Sequence, residues 1–209
     1  MKKLFGGINM KWLYVILFAL GAGVYTGLVL CIPALNETSF QDIGISYEWW
    51  VIFAVIVVVN CDKGWEAALK CFLFFLISQP VVYLVEILCR HLTFDQAWIY
   101  YRQMWLPMTF ATLPGGFIAY FCKKPNAFGS IVMVLGNTIE GVMAASLIAQ
   151  SVDDFPHHIL SAAVCVVAIV VMTLCVQKNK TYRIVTFVLS AVFIAAILVF
   201  MKVRGMALY

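Results

Sequence analysis

Long apolar segments constrain the fold of this chain more than any other feature of its sequence. A helix needs about 20 mostly apolar residues to cross the hydrocarbon core of a bilayer. Seven segments are candidates for such spans: Lys11–Ile32, Tyr47–Asn60, Trp65–Leu88, Met104–Phe121, Ala127–Gln150, Ile159–Val176 and Tyr182–Met201. The second of these, with about 14 residues, is the shortest. The sequence therefore predicts an all-α fold, a polytopic transmembrane helix bundle of about seven spans.

Composition leaves little room for a separate soluble domain. Of the 209 residues, 64% are hydrophobic and 11% are charged, whereas a soluble domain is typically about half apolar and about a quarter charged. The stretches between the apolar segments run to roughly fifteen residues, which is too few to bury a core of their own. We therefore expect a single transmembrane domain over residues 1–209, with the lipid bilayer as its main partner. The basic residues form no dense patch, which argues against a nucleic-acid partner.

The distribution of basic residues predicts an orientation, because Lys and Arg accumulate in cytoplasmic loops. With the N-terminus in and seven alternating spans, the inner side receives Lys2, Lys3, Lys11, Lys63, Lys70, Lys123, Lys124, Lys178, Lys180 and Arg183. The outer side receives only Arg90, Arg102, Lys202 and Arg204. This pattern favours an N-terminus in and a C-terminus out, and the short loops favour a bacterial cytoplasmic (inner) membrane. Lys202 and Arg204, after the last span, argue against an outer C-terminus. A six-span alternative with both termini inside would accommodate them.

The connection before the fourth span has the pattern of a short amphipathic helix. Thr93 and Gln96 have the spacing of a capping box, in which two side chains satisfy free N–H groups at a helix start. Four aromatic residues follow at spacings of four, three and four residues: Phe94, Trp98, Tyr101 and Trp105. The spacing places them on one helical face, and aromatic rings favour the membrane–water interface. We expect a short interfacial helix on the outer side around Phe94–Trp105; the alternative is a loop whose aromatic residues anchor the fourth span.

Two of the acidic residues in the apolar segments, Glu86 and Glu140, are candidates for a site, since a polar group in hydrocarbon is costly and is often functional. Glu140 lies in the fifth span, three residues after Asn137, so both share a helical face. They are expected to bind a substrate or carry a proton; the alternative is that Glu140 joins helices. Glu86 lies near the outer end of the third span, four residues before Arg90. This pair is either an interfacial ion pair or a gate.

Helix-breaking residues concentrate in the same region. Pro80 follows Gln79 in the third span, and Pro114, Gly115 and Gly116 lie midway through the fourth. A proline removes a backbone hydrogen bond, and transporters often build binding sites from broken helices near the bilayer midplane. The sequence therefore predicts broken backbone or hinges at Pro80 and at Pro114–Gly116. The alternative is a simple kink with no site attached.

The preferred function is a small-solute membrane transporter, or the membrane-embedded substrate-binding subunit of a transporter. The polar site is expected among spans three to five, with contacts from Glu140, Asn137, Gln79, Glu86 and Trp105. No catalytic set, metal-ligand set or cofactor motif is found, so we expect no enzyme activity and no cofactor. The predicted partners are a small organic solute and either another membrane subunit or an energising ATPase.

Two other functions stay open at this point. The first is a non-catalytic accessory or assembly subunit of a membrane complex, in which small-residue stripes contact a partner helix. The second is an intramembrane enzyme acting on lipid or peptide. The enzyme is the less favoured alternative, because no nucleophile and base can be paired from the sequence.

Overall fold

The fold of the described residues is entirely helical. The computed structural model describes residues 4–36, 38–45, 47–91, 93–153, 155 and 157–204, without the side chains of residues 43–45 and 153. In these ranges the α-helices are α1 (Trp12–Cys31), α2 (Ser39–Ile45), α3 (Tyr47–Val59), α4 (Gly64–Arg90), α5 (Phe94–Tyr100), α6 (Leu106–Ala119), α7 (Ala127–Asp153), α8 (Ile159–Val176) and α9 (Lys180–Val203). The all-α prediction is confirmed.

Five helices in the described ranges are long and apolar enough to cross a membrane: α1, α4, α7, α8 and α9. Their presence supports an integral membrane protein. Helices also form at the two other predicted spans, but α3 has 13 residues and α6 has 14. Since an α-helix rises about 1.5 Å per residue, each is shorter than a bilayer core of about 30 Å. The structure therefore supports five candidate spans in the described ranges, and the count of seven stays a prediction.

The chain divides into two compact units. The N-terminal unit comprises Gly7–Tyr120, and the C-terminal unit comprises Met1–Gly6 and Phe121–Tyr209. Helices α1 to α6 belong to the first unit and α7 to α9 to the second. This division is finer than the single transmembrane domain that the sequence predicts.

Helices α1 and α4 form the main packing interface of the N-terminal unit. The two glycines of a GxxxG pattern in α1 contact α4 directly. A Cβ atom on Gly23 would lie 2.6 Å from the Ser78 carbonyl oxygen, and one on Gly27 would lie 2.6 Å from Val85 Cβ. No side chain fits in either place, so the backbones approach as closely as small residues allow.

The predicted interfacial helix is present as α5, and it continues through a π-helical turn at Tyr101–Trp105 into α6. The Thr93 capping box begins α5. The rings of Phe94 and Trp98 stack at 5.1 Å, and those of Trp98 and Tyr101 lie 4.8 Å apart. In the π turn the Leu106 N–H donates to the Tyr101 carbonyl, five residues back. The turn buries Tyr101 and Trp105.

Neither predicted helix break is unwound. Helix α4 continues through Pro80, and α6 continues through Pro114. A proline removes only one backbone hydrogen bond, and packing on both sides of it keeps the remaining turns helical. Gly116 faces α4, where an added Cβ would lie 3.0 Å from Cys71 Cβ, whereas a Cβ on Gly115 would meet nothing within 4 Å. The prediction of broken backbone at these positions is therefore wrong, because neither helix is locally unwound. A hinge role for them stays a prediction.

In the C-terminal unit α7 packs against both α8 and α9. The side chain of Asn179 begins α9 by accepting the N–H groups of Thr181 at 2.9 Å and Tyr182 at 3.4 Å. Most of α9 is exposed, and most of its exposed residues are apolar, including Ile184, Val188, Val192, Phe193 and Val199. Exposed apolar surface of this extent is typical of helices in contact with lipid.

Candidate functional site

The N-terminal unit contains a cavity of about 590 Å³ with both polar and aromatic walls. Helix α4 contributes the largest part of the wall, through Gln79, Tyr83, Glu86 and Arg90. These residues are spaced by four, three and four, which places them on one face of the helix. Gln41, Tyr47 and residues from Gln96 to Trp105 complete the wall. We refer to this space as the polar cavity.

An ion pair lies on the wall of the polar cavity. The Arg90 guanidinium donates to the Glu86 carboxylate at 3.1 Å. The Arg90 side chain is 52% exposed and that of Glu86 is 13% exposed. The carboxylate is therefore the more buried member of the pair, and its guanidinium partner extends toward the surface. Exposed ion pairs between residues four apart contribute little to stability, so this pair can be rearranged at small cost.

Gln79 is the most buried polar residue of this cavity wall. It is 2% exposed, and its Nε2 has no hydrogen-bond partner among the described residues. A buried amide without a partner costs about 1–3 kcal/mol. Such a group is stabilised by a ligand or water that accepts its hydrogen bond. Ser78 is equally buried but does not line the polar cavity.

Aromatic rings form much of the remaining wall. Tyr47, Tyr83, Tyr100 and Trp105 all line the polar cavity. The rings of Tyr47 and Trp105 lie 5.9 Å apart, and those of Tyr83 and Tyr100 lie 6.4 Å apart. Sequence reasoning singled out Trp105 but missed the three tyrosines and Gln41. The spacing of Gln79, Tyr83, Glu86 and Arg90 along α4 was the signal that could have identified Tyr83.

A second cavity of about 300 Å³ lies in the same unit between α3, α4 and α6. We refer to it as the apolar cavity. Its walls carry Trp50, Val51 and Val55 from α3, Phe75 from α4, and Met108 and Gly115 from α6. Its surface is almost entirely apolar, so it suits an apolar group and offers almost nothing to a charged one.

No family model, curated protein or solved structure matches this chain.

Asn137 lies in the C-terminal unit, where it joins three helices. Its side chain is fully buried and its amide donates to Thr173 Oγ1 of α8 at 2.9 Å and to Ser190 Oγ of α9 at 3.2 Å. Helices α8 and α9 are mostly apolar along their length. Two of their few hydroxyl groups are the partners of Asn137, so this residue has a clear structural role.

Glu140 is also fully buried in α7. The next residue, Gly141, lies where α7 meets α9, since an added Cβ would be 2.2 Å from Ile194 Cδ1. Neither Asn137 nor Glu140 lines the polar or the apolar cavity. The five predicted contact residues are therefore divided: Gln79, Glu86 and Trp105 share the polar cavity, while Asn137 and Glu140 belong to the other unit. A binding or proton-transfer role for Glu140 stays a prediction.

Removing the Asn137 hydrogen bonds is expected to lower stability by about 0.6 kcal/mol per bond, and by at most about 1.7 kcal/mol, the average and the maximum for hydrogen bonds between membrane helices. A double-mutant cycle of Asn137→Leu with Thr173→Val, measured by unfolding in mixed micelles, isolates the bond to α8. Ser161→Ala is the control, because it removes another buried hydroxyl group from α8. A coupling energy near zero for Asn137 and Thr173 would contradict the role of Asn137 as a joint.

Proposed function

We propose that this chain is a small-solute membrane transporter or the membrane-embedded substrate-binding subunit of one, with the polar cavity as its binding site. One observation carries the proposal. Gln79, whose buried Nε2 has no partner in the described part of the chain, lines a cavity of about 590 Å³. Ligand pockets commonly combine aromatic walls with a few polar groups, and this cavity has both.

The proposed topology places this cavity toward the outer side of the membrane. In the seven-span arrangement with the N-terminus in, α4 ends outside at Arg90, and α5 is the interfacial helix on that side. Helix α3 would cross as a short span, with α2 extending it toward the outer surface. The bacterial cytoplasmic membrane suggested by the sequence is part of this proposal. Energy would come from a gradient or from a separate ATPase subunit.

A ligand screen of the purified full-length chain tests the proposal. Binding to the native state raises the free energy of unfolding by about 2.7 kcal/mol when the ligand concentration is a hundred times the dissociation constant. We expect at least one small organic solute to raise the melting temperature of the wild type. Gln79→Leu should abolish that shift, because the solute loses its buried amide contact.

Ser78→Ala is the matched control, since Ser78 is adjacent, equally buried and outside the cavity. It should retain the full shift. Uptake of the same solute into proteoliposomes then separates a transporter from a binding subunit. If no solute shifts the melting temperature of the well-folded protein, the proposal fails, and the accessory-subunit alternative gains support. In that case Glu140→Gln should be tested for loss of a co-purifying partner.

A further inference from the structure

The polar and apolar cavities share part of their walls. Tyr47 and Trp105 line both of them, and their rings lie 5.9 Å apart. This ring pair is therefore the partition between the two spaces. A molecule bound in the polar cavity would pass beside these rings for part of it to enter the apolar cavity.

The two spaces differ sharply in the chemistry that they accept. The polar cavity offers a carboxylate, an unpartnered amide and several hydroxyl groups, whereas the apolar cavity offers Trp50, Val51, Phe75 and similar side chains. A ligand that fills both must carry a polar end and an apolar end. Each methylene group that moves from water into such a space lowers the dissociation constant of the ligand by roughly fourfold.

The polar end is expected to be cationic. Glu86 is the more buried member of its ion pair, and Arg90 is half exposed. Tyr47, Tyr83, Tyr100 and Trp105 surround the same space. Aromatic faces attract ammonium groups, and quaternary ammonium ligands are commonly held by such rings. An anion would instead meet the Glu86 carboxylate and the negative faces of the rings, and only the half-exposed Arg90 guanidinium would favour it.

We infer that the substrate is an organic amine with a short apolar chain. Its ammonium group lies beside Glu86 among the rings of the polar cavity, and its chain passes Tyr47 and Trp105 into the apolar cavity. This inference rests on the proposed function and names the substrate class of the same site.

A chain-length series tests the inference. The probes are tetramethylammonium and alkyltrimethylammonium ions from propyl to hexyl, titrated calorimetrically into the full-length chain in maltoside micelles. For the wild type we expect the dissociation constant to fall by roughly fourfold per added methylene. Hexanoate, which has a similar chain and the opposite charge, should not bind.

Two variants separate the two ends of the ligand. Gly115→Leu places a side chain in the apolar cavity, at a position where an added Cβ meets nothing within 4 Å. It should remove the chain-length dependence and leave the affinity for tetramethylammonium unchanged. Glu86→Gln should weaken every ion of the series by roughly tenfold or more, since hydrogen bonds and contacts to a charged group are among the stronger ones. Arg90→Gln should strengthen binding, because it frees the carboxylate.

Gly21→Leu is the matched control, because Gly21 also meets nothing within 4 Å but lies on an exposed face of α1 away from both cavities. It should keep the chain-length dependence. Its melting temperature shows how much a Gly→Leu substitution away from both cavities changes stability. Micelle partitioning of the probes is common to all variants and cancels in the comparison.

Four outcomes would overturn the inference. A solute that binds through Gln79 but is not displaced by hexyltrimethylammonium would leave the proposed function intact and exclude the amine. Affinity that is independent of chain length in the wild type would exclude the apolar cavity. A phospholipid that co-purifies with the wild type and is lost from Gly115→Leu, with no effect of chain length, would assign the apolar cavity to lipid. If no solute of any class binds, the proposed function fails together with the inference.

Discussion

Replacing Trp50 with alanine is expected to lower the free energy of unfolding by about 3–5 kcal/mol, the usual range for removing a buried Trp or Phe side chain. Trp50 is 2% exposed and lies at the centre of an aromatic cluster in the N-terminal unit. Its ring centroid is 5.8–6.2 Å from those of Phe53, Phe74, Phe75 and Trp105. The loss combines the transfer free energy of the indole with the cavity left among these rings.

Trp50→Phe is the matched control for this substitution. The indole Nε1 of Trp50 has no hydrogen-bond partner in the described ranges, and an unpartnered buried donor costs about 1–3 kcal/mol. Phenylalanine removes that donor and keeps one of the two rings, so its effect should be small. Both variants are measured by unfolding in mixed micelles with increasing dodecyl sulfate. Equal losses for alanine and phenylalanine would show that the indole ring is not packed as described.

Gly23→Ala is expected to destabilise the N-terminal unit by about 1–3 kcal/mol, the usual cost of overpacking. The added Cβ would lie 2.6 Å from the Ser78 carbonyl oxygen and 2.8 Å from Val81 Cβ. Since the first of these atoms belongs to the backbone, a side-chain rotation cannot relieve the clash. Helices α1 and α4 must move apart, and contacts along their whole interface weaken.

The same substitution two residues earlier should act in the opposite direction. Gly21 lies on the exposed face of α1, where an added Cβ meets nothing within 4 Å. Alanine is favoured over glycine inside a helix by about 0.5–1 kcal/mol, so Gly21→Ala should leave stability equal or slightly higher. Unfolding of the two variants in the same micelles measures the difference. Similar stability for both would contradict the close approach of α1 to α4.

The helices and the membrane class could be predicted from the sequence because both depend on local properties. The length of an apolar run determines whether a helix can span the bilayer, and the Thr93 capping box is a pattern of four neighbouring residues. The number of spans was less certain, since the short α3 and α6 fall below the length that composition alone can identify. The π turn at Tyr101–Trp105 depends on hydrogen bonding that periodicity does not show.

The contacts between distant residues were decided only by the tertiary structure. Gln79 and Glu86 were singled out for their cost in hydrocarbon, but only packing places them on one cavity with Gln41 and Tyr47. Asn137 was expected in the same site, yet its amide reaches Thr173 and Ser190, which are 36 and 53 residues away along the chain.

The sequence by itself determined that this chain forms apolar helices suited to a membrane, and which few side chains are polar within them. The tertiary structure decided which of those polar side chains meet. The physical reason is that a helix presents several faces, and small differences in side-chain shape, such as the glycines at Gly23 and Gly116, select the face that packs. Of the polar side chains buried by that choice, Asn137 meets partners on two other helices, whereas Gln79 lines a cavity.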